Sequence, residues 1–238
     1  MKTVLITSSR PGADALEKAM QAQGVRTITS PLLAIEKLAD SELTSLPSAE
    51  NAYQAMILTS RHAINAARLF ADKPVFLVGQ HSRKIAERMG LRVVAHAANV
   101  QSLCELIQYQ LSPAAGRLLY LSGQDVSADL SALLPEFLVD RRITYRADFL
   151  PLHQAACAAL QEGRVDYVTL LSRRTAQQLL AEIAGLELAR RPTALCYSQK
   201  ISLFMQESSW NSCITLQEPT LSCLLETLQT IKGLDQPT

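Results

Sequence analysis

The sequence predicts an α/β protein of two similar halves, each a mostly parallel sheet flanked by helices, facing each other across a cleft. Three observations lead there. Short apolar runs of the kind that buried parallel strands show alternate with helical stretches along most of the chain. Several of these runs give way to a turn of small hydroxyl residues before helical spacing begins, as in AMILTSRHAINAARLF from Ala55 to Phe70. The chain also repeats itself: Val168-Thr169-Leu170-Leu171-Ser172-Arg173 lies over Met56-Ile57-Leu58-Thr59-Ser60-Arg61, and each copy continues into an Ala/Leu/Gln-rich helix.

Taken in order, Val4-Leu5-Ile6 is a strand, Thr7 to Gly12 a turn, and Ala13 to Gln23 a helix with apolar positions at Ala15, Leu16, Ala19 and Met20, stopped by Gly24. Val25 to Thr29 is a second strand, and Pro31 to Ile35 leaves it extended. A short helix is expected between Leu38 and Glu50. Tyr53 opens the organising strand, whose helix runs to about Ala71, followed by the strand Pro74 to Gly79, the helix Ser82 to Met89 ending at Gly90, and the strand Arg92-Val93-Val94. Asn99 caps a helix that runs to about Gln110. The first pattern then returns: the strand Leu118 to Leu121, the turn Ser122 to Asp125, a helix containing Ser127 to Leu130, the strand Arg142 to Tyr145, and Phe149 to Leu152 in place of Pro31 to Leu33. The second pattern returns at Val165, with Thr193 to Tyr197 and Ile214-Thr215 as strands and Pro219 expected at the first position of the last helix. The order is therefore A, B, A′, B′. The repeat alone leaves open whether A pairs with B or B with A′.

At 238 residues and 48% hydrophobic, the chain can bury a sizeable core and has room for two domains. A net charge of +1 with both signs interspersed argues against nucleic-acid and membrane-surface binding, which need a basic field. No apolar run approaches a membrane span, and MKTVLITSSRPG passes from strand to turn rather than into a signal-peptide core, so a cytoplasmic protein is expected, acting as a monomer. Cys104, Cys157, Cys196, Cys213 and Cys223 are odd in number and never spaced as CxxC, which predicts reduced, mostly buried thiols. His62, His81, His96 and His153 show no paired ligand spacing, and no metal is expected.

A strand feeding a helix through hydroxyl residues leaves first-turn N–H groups pointing outward at the positive end of the helix dipole, a place for anions. Turns of this kind occur at Thr7 to Arg10, Thr59-Ser60-Arg61, Gln80-His81-Ser82, Asn99, Ser122-Gly123, Ser172-Arg173-Arg174 and Ser198-Gln199-Lys200. Placed at the carboxyl ends of parallel strands, they suit a polyanionic ligand. Each by itself is better explained as a helix cap than as a ligand contact, so the signal is their number and common placement. Neither GxGxxG nor GxxxxGK[ST] occurs, which disfavours a nucleotide enzyme, and the turns are hydroxylic and basic rather than acidic as a receiver domain would need.

The ILTS turn, the FLVG turn, the ITYRADF strand, the second LLS turn and the EPT before the last helix, in this order and at these separations, resemble the uroporphyrinogen-III synthase family over nearly the whole chain. The resemblance implies two α/β domains joined by a two-stranded connector, one inserted in the other: residues 1–35 with 149–238, and residues 36–148. It implies cofactor-free closure of hydroxymethylbilane, a linear tetrapyrrole with an acetate and a propionate on each ring, with inversion of the last ring. Arg10, Thr59, Ser60, Arg61, Ser82, Asn99, Ser122, Gly123, Ser172, Arg173, Ser198 and Lys200 are then the candidate substrate contacts. Tyr145 falls at the place of the tyrosine that the family uses near the leaving hydroxyl and is the candidate acid. Tyr109, Tyr120, Tyr167 and Tyr197 are expected to be ordinary strand tyrosines, ring buried and hydroxyl at the rim. The turn CYSQK departs from the family pattern, which has Gly at Tyr197 and a small hydroxyl residue at Lys200. A non-catalytic two-lobed binding protein or a degenerate synthase would show the same repeat.

Overall fold

The computed structural model describes residues 2–10, 12–38 and 53–234. The helix expected between Leu38 and Glu50 therefore lies, except for Leu38 itself, outside the described residues, as does Pro11 of the first turn. β1 (Thr3–Ile6) leads to α1 (Gly12–Ala22), β2 (Arg26–Thr29) and β3 (Leu33–Lys37). After β4 (Tyr53–Leu58) come a 3-10 turn at Arg61–Ala63, the single α turn α2 (Ile64–Ala67) and a second 3-10 turn at Arg68–Phe70. Then follow β5 (Val75–Val78), α3 (Gln80–Arg88), β6 (Val93–Ala97), α4 (Val100–Gln110) and, past a 3-10 turn at Pro113–Ala115, β7 (Arg117–Gly123). The chain continues through α5 (Leu130–Leu133), β8 (Val139–Phe149), α6 (Gln154–Gln161), β9 (Tyr167–Leu170) and α7 (Arg173–Ile183). It ends with β10 (Thr193–Cys196), α8 (Gln199–Glu207), β11 (Cys213–Thr215) and α9 (Leu221–Leu234). Among the described residues no helix is long and apolar enough to cross a membrane.

The strands form two sheets. One is parallel throughout, in the order β11-β10-β9-β1-β2, and the other runs β3-β8-β7-β4-β5-β6. The chain divides accordingly into Met1–Ala34 with Asp148–Thr238, the flanking unit, and Ile35–Ala147, the inserted unit. So A completes a sheet with B′, through β1 beside β9, and B with A′, through β4 beside β7. β3 and β8 carry the chain across the boundary as neighbours. Leu38 N–H donates to the Thr144 carbonyl and Leu150 N–H to the Leu32 carbonyl, both at 3.0 Å, so this one pair runs antiparallel.

Each sheet is covered on both faces, which is why the central strands are apolar without alternation. In the flanking unit Leu5, Val168, Ala194 and Trp210 belong to one buried cluster and Val4, Ile6, Leu195 and Leu224 to another. In the inserted unit Met56, Leu58, Leu119 and Leu121 form one and Ala55, Ile57, Phe76 and Leu118 the other. Gly24 and Gly90, both at positive φ, follow α1 and α3 closely, as their positions predict.

Several local expectations need correction. Ser122 and Gly123 are not a turn but the last two residues of β7, because pairing with β8 carries the strand past the apolar run. The helix placed at Ser127 to Leu130 is instead the one-turn α5, with Asp129 as its cap. The helix after β4 is broken into short turns; His62, Ile64 and Asn65 are weak helix formers in a segment too short to compensate. α3 already begins at Gln80, so Gln80-His81-Ser82 is its first turn. Thr220, not Pro219, meets the last helix: its hydroxyl accepts from Cys223 N–H at 3.2 Å. Tyr109 is 88% exposed, against the buried reading of its ring. All five cysteines are free, but only Cys104 and Cys196 are fully buried.

Candidate functional site

The two sheets share one strand order once the chain is permuted: β2-β1-β9-β10-β11 corresponds to β8-β7-β4-β5-β6. In open parallel sheets of this order the crevice lies where the winding reverses, at the carboxyl ends of the two central strands. That is between β1 and β9 in the flanking unit and between β7 and β4 in the inserted unit.

At the reversal in the inserted unit, β4 is followed by Thr59, whose hydroxyl bonds that of Tyr120 at 2.9 Å. Ser60 caps the 3-10 turn, its hydroxyl accepting from His62 N–H at 3.3 Å. Across the reversal, β7 ends in Ser122 and Gly123. The Ser122 hydroxyl donates to the Gly123 carbonyl and accepts from Arg141 Nε, both at 2.9 Å. Arg141 also reaches the Gly123 and Gln124 carbonyls at 2.8 and 2.6 Å. Beside it lies a pocket of about 280 Å³ lined by Tyr120, Val126, Ala128, Asp129, Leu130, Ser131 and Arg141.

Tyr145 does not end its strand; β8 continues to Phe149. What places it here is a slip in register: Ser122 pairs with Ile143 but Gly123 with Tyr145. Thr144 is the extra residue of this bulge, and its hydroxyl donates to the Ser122 carbonyl at 3.1 Å. Bulges re-aim side chains, and this one sets the Tyr145 ring over Gly123. The His62 ring lies 5.5 Å from it, centroid to centroid, tilted by 55°. Burial, aided by Arg61 and Lys37, lowers the His62 pKa to about 4, so its imidazole is neutral near pH 7. Burial also raises the Tyr120 phenol; Thr59 and Arg141 oppose the shift, while Tyr145 and Cys104 add to it.

The remaining candidates of this unit stand further along the sheet. Ser82 is in the first turn of α3 behind Gly79, and Asn99 caps α4 by accepting from Ser102 N–H at 2.9 Å.

In the flanking unit the reversal is framed by the loop after β1 and the start of α7. Thr7 is consumed within the sheet, its hydroxyl donating to the Thr169 carbonyl. Ser8 is 5% exposed and its hydroxyl has no partner among the described residues. Ser172 caps α7, accepting from Thr175 N–H at 3.1 Å. Arg173, exposed, stands 4.9 Å over the Phe204 ring, and Arg174 5.0 Å over Phe149. Arg10 is exposed and paired with Asp14. Ser198 precedes α8 without a side-chain cap bond, leaving its hydroxyl uncommitted there, and Lys200 is exposed in the first turn.

Sequence reasoning passed over His62, Arg141 and Ser8. Ser8 sits inside the Thr7 to Arg10 turn, and His62 directly follows the Thr59-Ser60-Arg61 turn. Arg141 shares a face of β8 with Ile143, and the alternation of that strand was the signal available.

A model of the uroporphyrinogen-III synthase family, HemD, matches residues 14–226. No curated protein matches the sequence significantly. Among solved structures, the chain is similar to uroporphyrinogen-III synthetase from Helicobacter pylori, at 15% identity and a TM-score of 0.66, covering 97% of this chain and 100% of that one. It is similar to a mutant uroporphyrinogen III synthase from Thermus thermophilus at 16% identity and a TM-score of 0.65, covering 98% and 100%. A second crystal form of the Thermus thermophilus protein, wild type, scores 0.51 at 15% identity, with 99% of each chain covered. At such identities the structures speak for the fold, and the family match, spanning most of the length, speaks for descent: the chain belongs to the uroporphyrinogen-III synthase family.

Proposed function

We propose that this chain is a lyase that closes hydroxymethylbilane to uroporphyrinogen III, without a cofactor. The observation that carries the reading is the charge at its helix starts. Cations are disfavoured in a first turn because the helix dipole is positive there. Yet the helical segments after β4, β9 and β10 carry Arg61, Arg173-Arg174 and Lys200 in their first turns, with no acidic residue there. A ligand bearing a carboxylate on every side arm relieves that arrangement, and the acetates and propionates of the bilane are such a ligand. The same feature weighs against a lobed binder of neutral molecules.

In this reading the Tyr145 phenol donates a proton to the terminal hydroxyl, the C–O bond breaks and water leaves an azafulvene. The substituted carbon of the last ring attacks it; the spiro intermediate fragments, recloses in the inverted sense, and releases a proton from the ring carbon, which restores the balance. A positioned acid is worth ~10² to 10⁴ in rate, and a substrate that ionises readily calls for the lower end. Tyr145→Phe should slow formation of the inverted isomer and let uncatalysed closure to the uninverted ring compete, with circular dichroism unchanged. A variant with full rate and full isomer purity would show that Tyr145 is only a packed strand residue.

A further inference from the structure

A side chain at Gly123 has nowhere to go. A Cβ built there would stand 2.6 Å from Tyr145 Cζ, 2.8 Å from Cε2 and 2.9 Å from the phenolic oxygen, closer than real contacts allow. The backbone cannot yield instead. The Gly123 carbonyl accepts from Arg141 at 2.8 Å and from Ser122 at 2.9 Å, and the next amide, Gln124 N–H, donates to the Tyr145 carbonyl at 2.9 Å. The displacement must fall on the ring, and two of the three nearest atoms, Cζ and the oxygen, are its reactive end. The ring is not free to swing at will either, since the His62 imidazole bears on it at 5.5 Å. The backbone that carries this imidazole is held in its turn, where Ser60 accepts from the His62 amide at 3.3 Å.

We propose that Gly123 and His62 are positioning residues for Tyr145: Gly123 leaves open the space over which the phenol lies, and His62 holds the ring there. Gly123 is then not a substrate contact, as its place beside Ser122 suggested, but part of the seat of the acid. The inference rests on the reading of Tyr145 as the acid. Because the nearest atom to the missing Cβ is a ring carbon, the steric cost belongs to the ring, whereas the catalytic cost belongs to the hydroxyl; the two can be separated.

The test is Gly123→Ala measured with Tyr145 present and in a Tyr145→Phe background, reading kcat, KM, the product isomer ratio and Tm. With Tyr145 present, kcat should fall to the level of Tyr145→Phe, about tenfold to a hundredfold, with KM little changed and the uninverted isomer rising. In the Phe background kcat should fall no further, while the loss of Tm should be alike in both, since Cζ remains. If Tyr145→Phe is impaired and Gly123→Ala leaves kcat and isomer ratio unchanged, the positioning role is wrong and the acid stands. If Tyr145→Phe is unimpaired, the acid reading fails and this inference with it. Should Gly123→Ala not fold, adding Tyr145→Ala should restore folding by removing the ring; a double variant that stays unfolded overturns the inference. His62→Ala should likewise lower kcat only where the hydroxyl is present, and an equal loss in both backgrounds contradicts its part.

Discussion

An imidazole withdrawn from water and set near two cations binds a proton poorly, and His62 has that environment: burial first, then Arg61 and Lys37, bring its pKa from 6.5 down to about 4. The sign follows from linkage. Above about pH 6.5 both native and unfolded chains leave this group neutral; between there and about 4 only the unfolded chain takes up the proton, so stability falls as pH falls, by at most about 3 kcal/mol once the pH is below the folded value. His62→Phe keeps a ring against Tyr145 and removes the titration, and its Tm should decline less than the wild type's across that window. Parallel declines would show that His62 is not the group responsible. Arg173 poses the opposite case, a charge at the surface. Its cation–π contact with Phe204 is worth ~0.5 to 1 kcal/mol at an exposed site, so Arg173→Ala should hardly move Tm. An exposed ion pair to a substrate carboxylate is worth ~0.2 to 1 kcal/mol, and KM should rise roughly twofold to fivefold at low ionic strength, less in salt. An unchanged KM at low ionic strength would take Arg173 out of the site.

Among the elements, β1 shows how a short strand from one end of the chain is held to β9 from far along it. Beyond the ladder, Asp166 accepts from Thr3 N–H and from Arg190, both at 2.7 Å. Burial pushes this carboxyl up, but Arg190, the Thr3 amide and Lys2 prevail and hold it below its ordinary value. The stability it lends is present above the ordinary carboxylate range and lost as pH falls through the folded value, a window that adjoins the His62 window from below. Asp166→Asn should cost about 1 to 3 kcal/mol in a denaturant titration, and no change in midpoint would mean that strand pairing alone suffices. The apolar strands, the Asn99 cap and the helix-ending Gly24 and Gly90 were legible because each depends on residues beside it in sequence. Ser122-Gly123 was not. A Ser-Gly pair after an apolar run reads as a turn, and what makes it strand is the pairing with β8 and the bulge at Thr144, properties of a partner that the local sequence does not display. The reason for Gly123 likewise lies in the Tyr145 ring, and that of Ser122 in Arg141.

On the scale of the whole molecule, the A, B, A′, B′ order was readable from the repeat, but the pairing of B with A′ came only from the family resemblance, because every strand involved is a short apolar run that could lie beside any other. The sheet order resolves it, and both units then show one winding. The inserted unit is a single stretch of chain with buried clusters on both faces of its sheet. A fragment of residues 33–149, which keeps β3 and β8 whole, should therefore unfold cooperatively on its own, and a fragment without a cooperative transition would show that it borrows stability from the flanking unit. The cations of the proposed reading stand at helix starts in both units. The measurement that bears most directly on the function is to give the full-length protein freshly prepared hydroxymethylbilane, stop the reaction within the lifetime of the unreacted bilane, and separate the oxidised product isomers. The account predicts uroporphyrin III in excess, at a rate proportional to protein concentration; uroporphyrin I alone, forming at the rate seen without protein, would contradict it.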